Sequence, residues 1–460
     1  MKNSILLKYS IASAGDSAMY SYVNTFWLFY LTTVAGVPPA VAGAVTAVGA
    51  ACQAVASPFF AACSDRLSHR LGRRRPFIIF SAMPLGLFAC LMFSKLPFDG
   101  PPRVAALFLL GAVFWMLFAA FFIPHLALGA EIADGYDERT AIRTYAYVMY
   151  TVGFILGNVI PMLAEERFAL AGLEESTAWL CVTVLVAAPS CGGILYTGLS
   201  VRERPSPVRE GARAGFSFKA SARDYMQVLK LKPLRLLIGA VMAYLIGNSM
   251  IVADRMYALT FQMHLSGSLI SGLMLVFGVL GIVAALPMMR LARRFDKRSM
   301  LIACLGVGGC LTAAARFVGV ARFSMPILLF LLIVYVAAST AYWQLMPAAF
   351  YDICEVDECE NGVRRAGTIT STLPMAQSIA SAVGMQLLGI RLQLGGFSSG
   401  AASQSPEALN AVFDCFTLLP GLLFAVSALF MLRFPITKRR FEEIKRVLAL
   451  RDAIQSAKTP

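Results

Sequence analysis

Charge is scarce in this 460-residue chain. Asp, Glu, Lys and Arg together make up 14% of it, against 58% hydrophobic residues. Soluble domains carry about 25% charged residues, so a water-soluble globule is excluded. Histidine is scarcer still, with three in all, and no Ser-His-Asp or Cys-His arrangement is evident. Nothing therefore indicates an enzyme, and no cofactor is expected. The GxxxxGK[ST] phosphate loop is missing, which argues against ATP drive. There are ten cysteines but no CxxC and no paired framework; free thiols packed among helices are the simplest reading. Cys354 and Cys359 flank acids but have no His beside them to support a metal. The apolar runs are continuous and not alternating, which excludes an outer-membrane barrel. No cleavable signal is evident, since the run after Lys8 carries Asp16 and is too long for one.

What is present is apolar length. About 20 residues cross the hydrocarbon of a bilayer, and twelve runs reach that scale. They are Ile5–Val34, Pro39–Cys63, Phe77–Ser94, Val104–Ala130, Ala141–Ala164, Ala178–Ser200, Leu236–Gln262, Ser268–Leu291, Met300–Val318, Met325–Phe350, Gly367–Ile390 and Ala411–Phe434. The net charge of +14 is distributed by side. Lys95, Arg103, Arg167, Arg316, Arg322 and Arg391 fall in loops on one side, Arg255 lies within a span, and the other Lys and Arg fall on the opposite side. This positive-inside pattern puts both termini in the cytoplasm of an inner-membrane protein, and it argues against a nucleic-acid partner. The long polar stretch 201–235 divides the spans six and six. The expected organisation is a six-helix bundle over 1–200, a basic cytoplasmic loop over 201–235, a second six-helix bundle over 236–434 and a tail helix over 435–460. Ser217–Lys230 and Thr437–Ala457 both read as amphipathic surface helices.

One signature occurs twice. Pro124-His125-Leu126-Ala127-Leu128 is followed by Glu131 and Tyr136-Asp137-Glu138-Arg139-Thr140. Tyr351-Asp352-Ile353 is followed by Glu355, Asp357, Glu358 and Arg364-Arg365-Ala366-Gly367. A second echo places Asp65 near Arg73 after span two, and Asp296 among arginines after span eight. Acids contribute little to orientation, so these clusters suit charge-assisted contacts that latch one face of a transporter. Asp65, Arg73, Glu131, Arg139, Asp296, Asp352, Glu358, Arg364 and Arg365 are the gating candidates.

These motifs resemble the glycoside–pentoside–hexuronide cation symporters, the melibiose-permease branch of the major facilitator fold. Gly15-Asp16 in span one resembles that family's opening motif, and Gly72-Arg73-Arg74-Arg75-Pro76-Phe77-Ile78 also resembles the sucrose transporters of plants. The resemblance implies an all-α polytopic membrane protein, with twelve transmembrane helices in two pseudo-symmetric six-helix bundles. It implies a binding aspartate at Asp16 and a cation site at two aspartates on helix two. Here Gln53 and Ser57 stand at those cation positions ahead of Pro58. The sugar-binding acid of helix four is replaced by Phe122. A family arginine falls on Ala146, and a lysine near Ser378. Gln and Ser oxygens suit sodium less well than carboxylates do.

From spacing, Asp16, Tyr20, Asn24 and Trp27 share one helical face, where a carboxylate would accept sugar hydroxyls and rings would cover the sugar. His125 has two readings, as a proton-coupling or substrate-bonding group or as packing. Asp254-Arg255 either gates the outer end or snorkels to water. Asp414 reads as interfacial. Gln344, Thr372 and Gln377 are polar candidates on later spans. The expected function is secondary transport of a small sugar or glycoside by alternating access, coupled to protons or uncoupled and not sodium-driven. Its alternatives are an amphipathic or organic-acid-like solute and, more distantly, a membrane sensor. The partners are then a small-molecule solute, a proton and the lipid bilayer, and a monomer is expected.

Overall fold

The computed structural model describes residues 3–203 and 226–446, apart from 68, 98, 133–135, 321–322, 362–365, 402, 438 and 445. The side chains of Asp65, Glu131, Arg139 and Glu358 also lie outside the description, as do Arg364 and Arg365 entirely. Most of both expected amphipathic surface helices falls there too.

The described residues form helices and no strand. In chain order they are α1 (Asn3–Thr33), α2 (Pro39–Arg66), α3 (Arg75–Met92), α4 (Pro101–Glu131), α5 (Tyr136–Leu170), α6 (Glu175–Ser200), α7 (Lys232–Tyr257), α8 (Gly267–Arg294), α9 (Lys297–Ala314), α10 (Met325–Asn361), α11 (Ala366–Leu394) and α12 (Pro406–Leu432). Eleven of them, α2 to α12, are long and apolar enough to cross a membrane. α1 is as long but more polar, with Lys8, Asp16 and a run of Ser, Thr, Tyr and Asn. Prolines such as Pro58 in α2 and Pro124 in α4 sit inside helices. Hydrocarbon offers the backbone no alternative partner, and neighbouring helices satisfy the freed groups, so such helices persist.

Several helices outrun their apolar cores. α5 begins at Tyr136 and ends at Leu170, beyond the expected Ala141–Ala164, and α10 continues from the apolar run to Asn361. Backbone hydrogen bonding continues through charged turns such as Glu355 to Asp357, where hydropathy no longer reports a span. Two π-helical turns were not expected: Ala258–Gln262 at the end of α7 and Asp414–Leu418 inside α12. Such turns widen the helix by one residue and often mark functional sites.

Contacts divide the chain into two compact units. The first is Met1–Phe216 with Val252–Gly278 and Met385–Val412. Within it, α1 packs along α5 and α6. Gly153 and Gly157 of α5 lie so close to α1 that a Cβ at either would collide with the carbonyls of Ala14 or Ala18. Lipid tails are as apolar as Leu, so membrane helices associate through close packing of small residues and through hydrogen bonds. The α1–α6 contact uses both: Tyr22 and Thr183 share a 2.8 Å hydroxyl bond, and the Thr197 hydroxyl donates to the Lys8 carbonyl at 2.7 Å.

The ends of α7, α8 and α11 that belong to this unit seat on α1, α2 and α5. Tyr257 of α7 shares a 2.6 Å hydroxyl bond with Thr32 and donates to the Leu28 carbonyl at 3.1 Å. The Ser271 hydroxyl of α8 donates to the Val159 carbonyl at 3.0 Å. The Gln393 side chain of α11 accepts from the Ala40 amide at 3.0 Å, and the Gly400 amide donates to the Thr32 carbonyl at 3.0 Å. Gly389 of α11 crosses Gly43 of α2 with backbone against backbone.

The second unit is Ser217–Ile251, Val279–Gly384 and Phe413–Pro460. In it α9 packs against α10 and α12. Tyr244 of α7 stacks between Tyr342 at 3.9 Å and Phe424 at 4.9 Å. Arg298, in the first turn of α9, donates to the Met431 and Leu432 carbonyls at the end of α12. Arg316 pairs with Asp414, so Asp414 is a partnered acid at a π turn.

Candidate functional site

Asp16 sits in mid-α1, only 4% exposed, and makes no hydrogen bond among the described residues. Tyr20 lies one turn on, half-buried, and both it and Tyr150 of α5 are within electrostatic reach of Asp16. Tyr20 packs on Trp115 and Phe118 of α4, and Phe118 stacks on Phe122 at 5.9 Å. A carboxylate without a partner is thus bordered by two tyrosines and an aromatic wall. That set can accept hydroxyl protons and stack on the apolar face of a ring. Asn24 is half-buried, with its amide nitrogen donating to the Tyr20 carbonyl at 2.9 Å. Trp27 is turned into the bundle, 1% exposed, against Tyr30 and Phe93.

Tyr150 was not anticipated from the sequence. It lies one helical turn after Tyr147, which hydropathy places on the same span, but only the tight α1–α5 contact brings it to Asp16.

His125 is 3% exposed and lies between two rings, Tyr9 at 4.4 Å and Phe121 at 5.4 Å, both nearly parallel to it. Its Nε2 is 3.4 Å from the Ser13 hydroxyl, and its carbonyl accepts from the Tyr9 hydroxyl at 3.1 Å. The ring faces are filled, which suits packing. On α2, Gln53 and Ser57 are half-buried, and the Ser57 hydroxyl donates to the Gln53 carbonyl at 2.8 Å, one turn back. Both residues offer neutral oxygens. No group of three or more His, Cys, Asp or Glu that could hold a metal occurs among the described residues.

In the second unit, the Gln344 amide of α10 donates to the Ala285 carbonyl of α8 at 3.2 Å. Gln377 of α11 lies beside the Tyr342 hydroxyl. Thr372 is buried and donates to the Ile369 carbonyl in its own helix at 2.7 Å.

Among the gating candidates, Asp352 binds Lys297 with both oxygens, at 2.7 and 2.9 Å. Asp296 occupies the N-cap of α9, and its side chain makes no capping bond. Arg73 is half-buried. Its neighbours carry contacts the sequence did not single out. The Arg74 amide donates to Glu203 at 2.7 Å and its guanidinium to Ser64, and Arg75 donates to the Gly198 and Leu199 carbonyls. Glu203 was readable as one of the few acids in a basic loop, but its partner lies 129 residues away.

Asp254 and Arg255 do not snorkel, being 0% and 9% exposed. Arg255 reaches α5, donating to the Asn158 side-chain oxygen at 3.1 Å, and lies over the Phe277 ring at 5.5 Å. Thr25 of α1 donates to the same Asn158 oxygen at 3.0 Å.

Residues 8–438 match the family described as MFS/sugar transport protein. The chain belongs to that family. It is a secondary transporter of the major facilitator fold and an integral membrane protein, and its resemblance to the glycoside–pentoside–hexuronide cation symporters is borne out. Family relatives include an isoprimeverose transporter from Lactiplantibacillus pentosus, 23% identical, with 94% of this chain and 88% of the relative covered. A glucuronide carrier protein homolog from Escherichia coli (strain K12) is 24% identical, with 95% and 94% covered. Among solved structures, the inward-open xylose transporter XylE from E. coli superposes with a TM-score of 0.64 at 14% identity, covering 96% of this chain and 98% of that one. A D-xylose-proton symporter gives 0.66 at 13% identity, covering 94% and 98%. At these identities the structural likeness shows the fold alone.

Proposed function

We propose that the protein carries a small sugar or glycoside by alternating access, with a proton or no ion moving alongside and sodium playing no part. The observation that carries this reading is Asp16, a buried carboxylate without a hydrogen-bond partner among the described residues, beside Tyr20 and Tyr150. Sugar hydroxyls supply the donors it lacks. Relatives named as an isoprimeverose transporter and as a glucuronide carrier protein homolog support the same class. The absence of carboxylates at Gln53 and Ser57 argues against sodium, a hard cation that favours anionic oxygens.

Asp16, Tyr20 and Phe122 are the substrate-contacting set in this proposal, with Asn24, Gln344 and Gln377 as further polar lining. Trp27, His125 and Thr372 serve packing. The Lys297–Asp352 pair and the Arg74–Glu203 contact latch the cytoplasmic side, on which both termini lie. The bonds joining α7, α8 and α11 to α1, α2 and α5 then close the outer end. The protein works as a monomer.

Counterflow in proteoliposomes tests the reading, with labelled isoprimeverose, a glucuronide and a set of amphiphiles offered in parallel. Sugar exchange indifferent to sodium at fixed pH is expected. Amphiphile flux without sugar flux would overturn the substrate class. Sodium stimulation that is lost on changing Gln53 or Ser57 would overturn the ion assignment.

A further inference from the structure

Asp254 differs from Asp16, the other buried acid without a hydrogen bond among the described residues, in that both of its oxygens are sealed from solvent. It is 0% exposed, and neither of its carboxylate oxygens has a hydrogen-bond partner among the described residues. It lies in the last turn of α7, one residue from the Arg255–Asn158–Thr25 chain and one turn before Tyr257, just ahead of the π turn. Adjacent residues on a helix point away from one another, and Arg255 is directed to α5 and Phe277. Burying an ionised carboxylate with no donor is prohibitively costly; such a group is retained as the neutral acid.

The charged and titratable groups of the packed elements are directed elsewhere. Tyr257 is in electrostatic contact with Asp254, but its hydroxyl is engaged by Thr32 and Leu28 of α1. On α1 the charges are Lys8 and Asp16, and Asp16 is the nearer. It precedes Thr32 by more than four turns, about 24 Å at 1.5 Å per residue. At the near end of α5, Glu165 interacts with Glu166 and Glu175, Glu166 lies against Gly267 of α8, and Arg167 is exposed. On α11, Arg391 lies beside Gly395. None of these is placed to neutralise Asp254.

We propose that Asp254 is a proton-binding site tied to closure of this end of the protein, neutral while α7 is seated on α1 and α5 and ionised when the seam opens to water. The inference deepens the proposed function, since it rests on the proton-coupled form of that reading and names where the proton binds. The sign follows from linkage. A group protonated in the closed form and ionised in the open form favours closure as pH falls.

Two measurements on the full-length protein in proteoliposomes test it without a substrate. Infrared spectra at neutral pH should contain a protonated-carboxyl stretch that loses intensity in Asp254→Asn. Amide exchange at Ala40 and Gly400, corrected for the intrinsic pH dependence, should show seam protection rising as pH falls, by up to about tenfold per unit. That trend should be flat in Asp254→Asn. Identical carboxyl bands in wild type and Asp254→Asn, or an unchanged pH trend in the variant, would overturn the proposal. Asp254→Ala repeats both measurements if the Asn variant folds poorly. A wild type that shows the band but no sugar counterflow would count against the substrate reading and leave the proton site standing.

Discussion

At the scale of single residues, what matters is which polar groups are already engaged. Asp16 is not, whereas Thr372, Ser57 and Asn24 donate to their own helices. Asp16→Asn keeps the shape and one acceptor but turns the second acceptor into a donor. Leaving a buried hydrogen-bonding group without its partner costs about 1–3 kcal/mol, so apparent sugar affinity should fall by roughly fivefold to a hundredfold, as read by competition in counterflow. His125 makes the opposite case. With rings on both faces, His125→Phe should fold normally and leave the pH profile of exchange unchanged; a displaced profile would restore the proton-coupling role. The sequence could present both possibilities for His125 but not choose, because Tyr9, which stacks on its ring, reaches it from α1. Asp16 was legible because an acid inside an apolar run is conspicuous wherever the helix turns.

At the scale of elements, apolar length revealed the helices and their order, and it failed where helix and hydrocarbon part company. The charged ends of α5 and α10 and the two π turns carry no hydropathic mark. The α1–α5 contact depends on Gly153 and Gly157, whose role is invisible until the partner helix is known. Gly153→Leu should cost about 1–3 kcal/mol by overpacking and lower the melting temperature in detergent. The Lys297–Asp352 pair joins α9 to α10 at a partly exposed position. A double-mutant cycle with Lys297→Ala and Asp352→Ala should give a coupling of no more than about 1 kcal/mol in thermal melts, while transport falls by more. A latch acts on the exchange of states, which melting does not report.

At the scale of the whole molecule, the doubled acid-and-arginine signature pointed to the family, and the match over residues 8–438 places the chain there. It did not reveal the bonds of the seam, several of which join residues more than 200 positions apart, such as Thr32 with Tyr257. Nor did it reveal that Asp254 is sealed beneath them. Pairings at such separations leave no local pattern for a single sequence to display.

The crossing of Gly389 over Gly43 gives the experimenter a wedge. Tryptophan at 389 has no room while the two backbones touch, so Gly389→Trp should hold the protein in whichever state parts them. Antibody fragments selected against that variant should bind it more tightly than wild type. Equal binding to both would show that the crossing yields without a change of state. Two missing methyl groups thus become a handle for capturing the shape in which these backbones part.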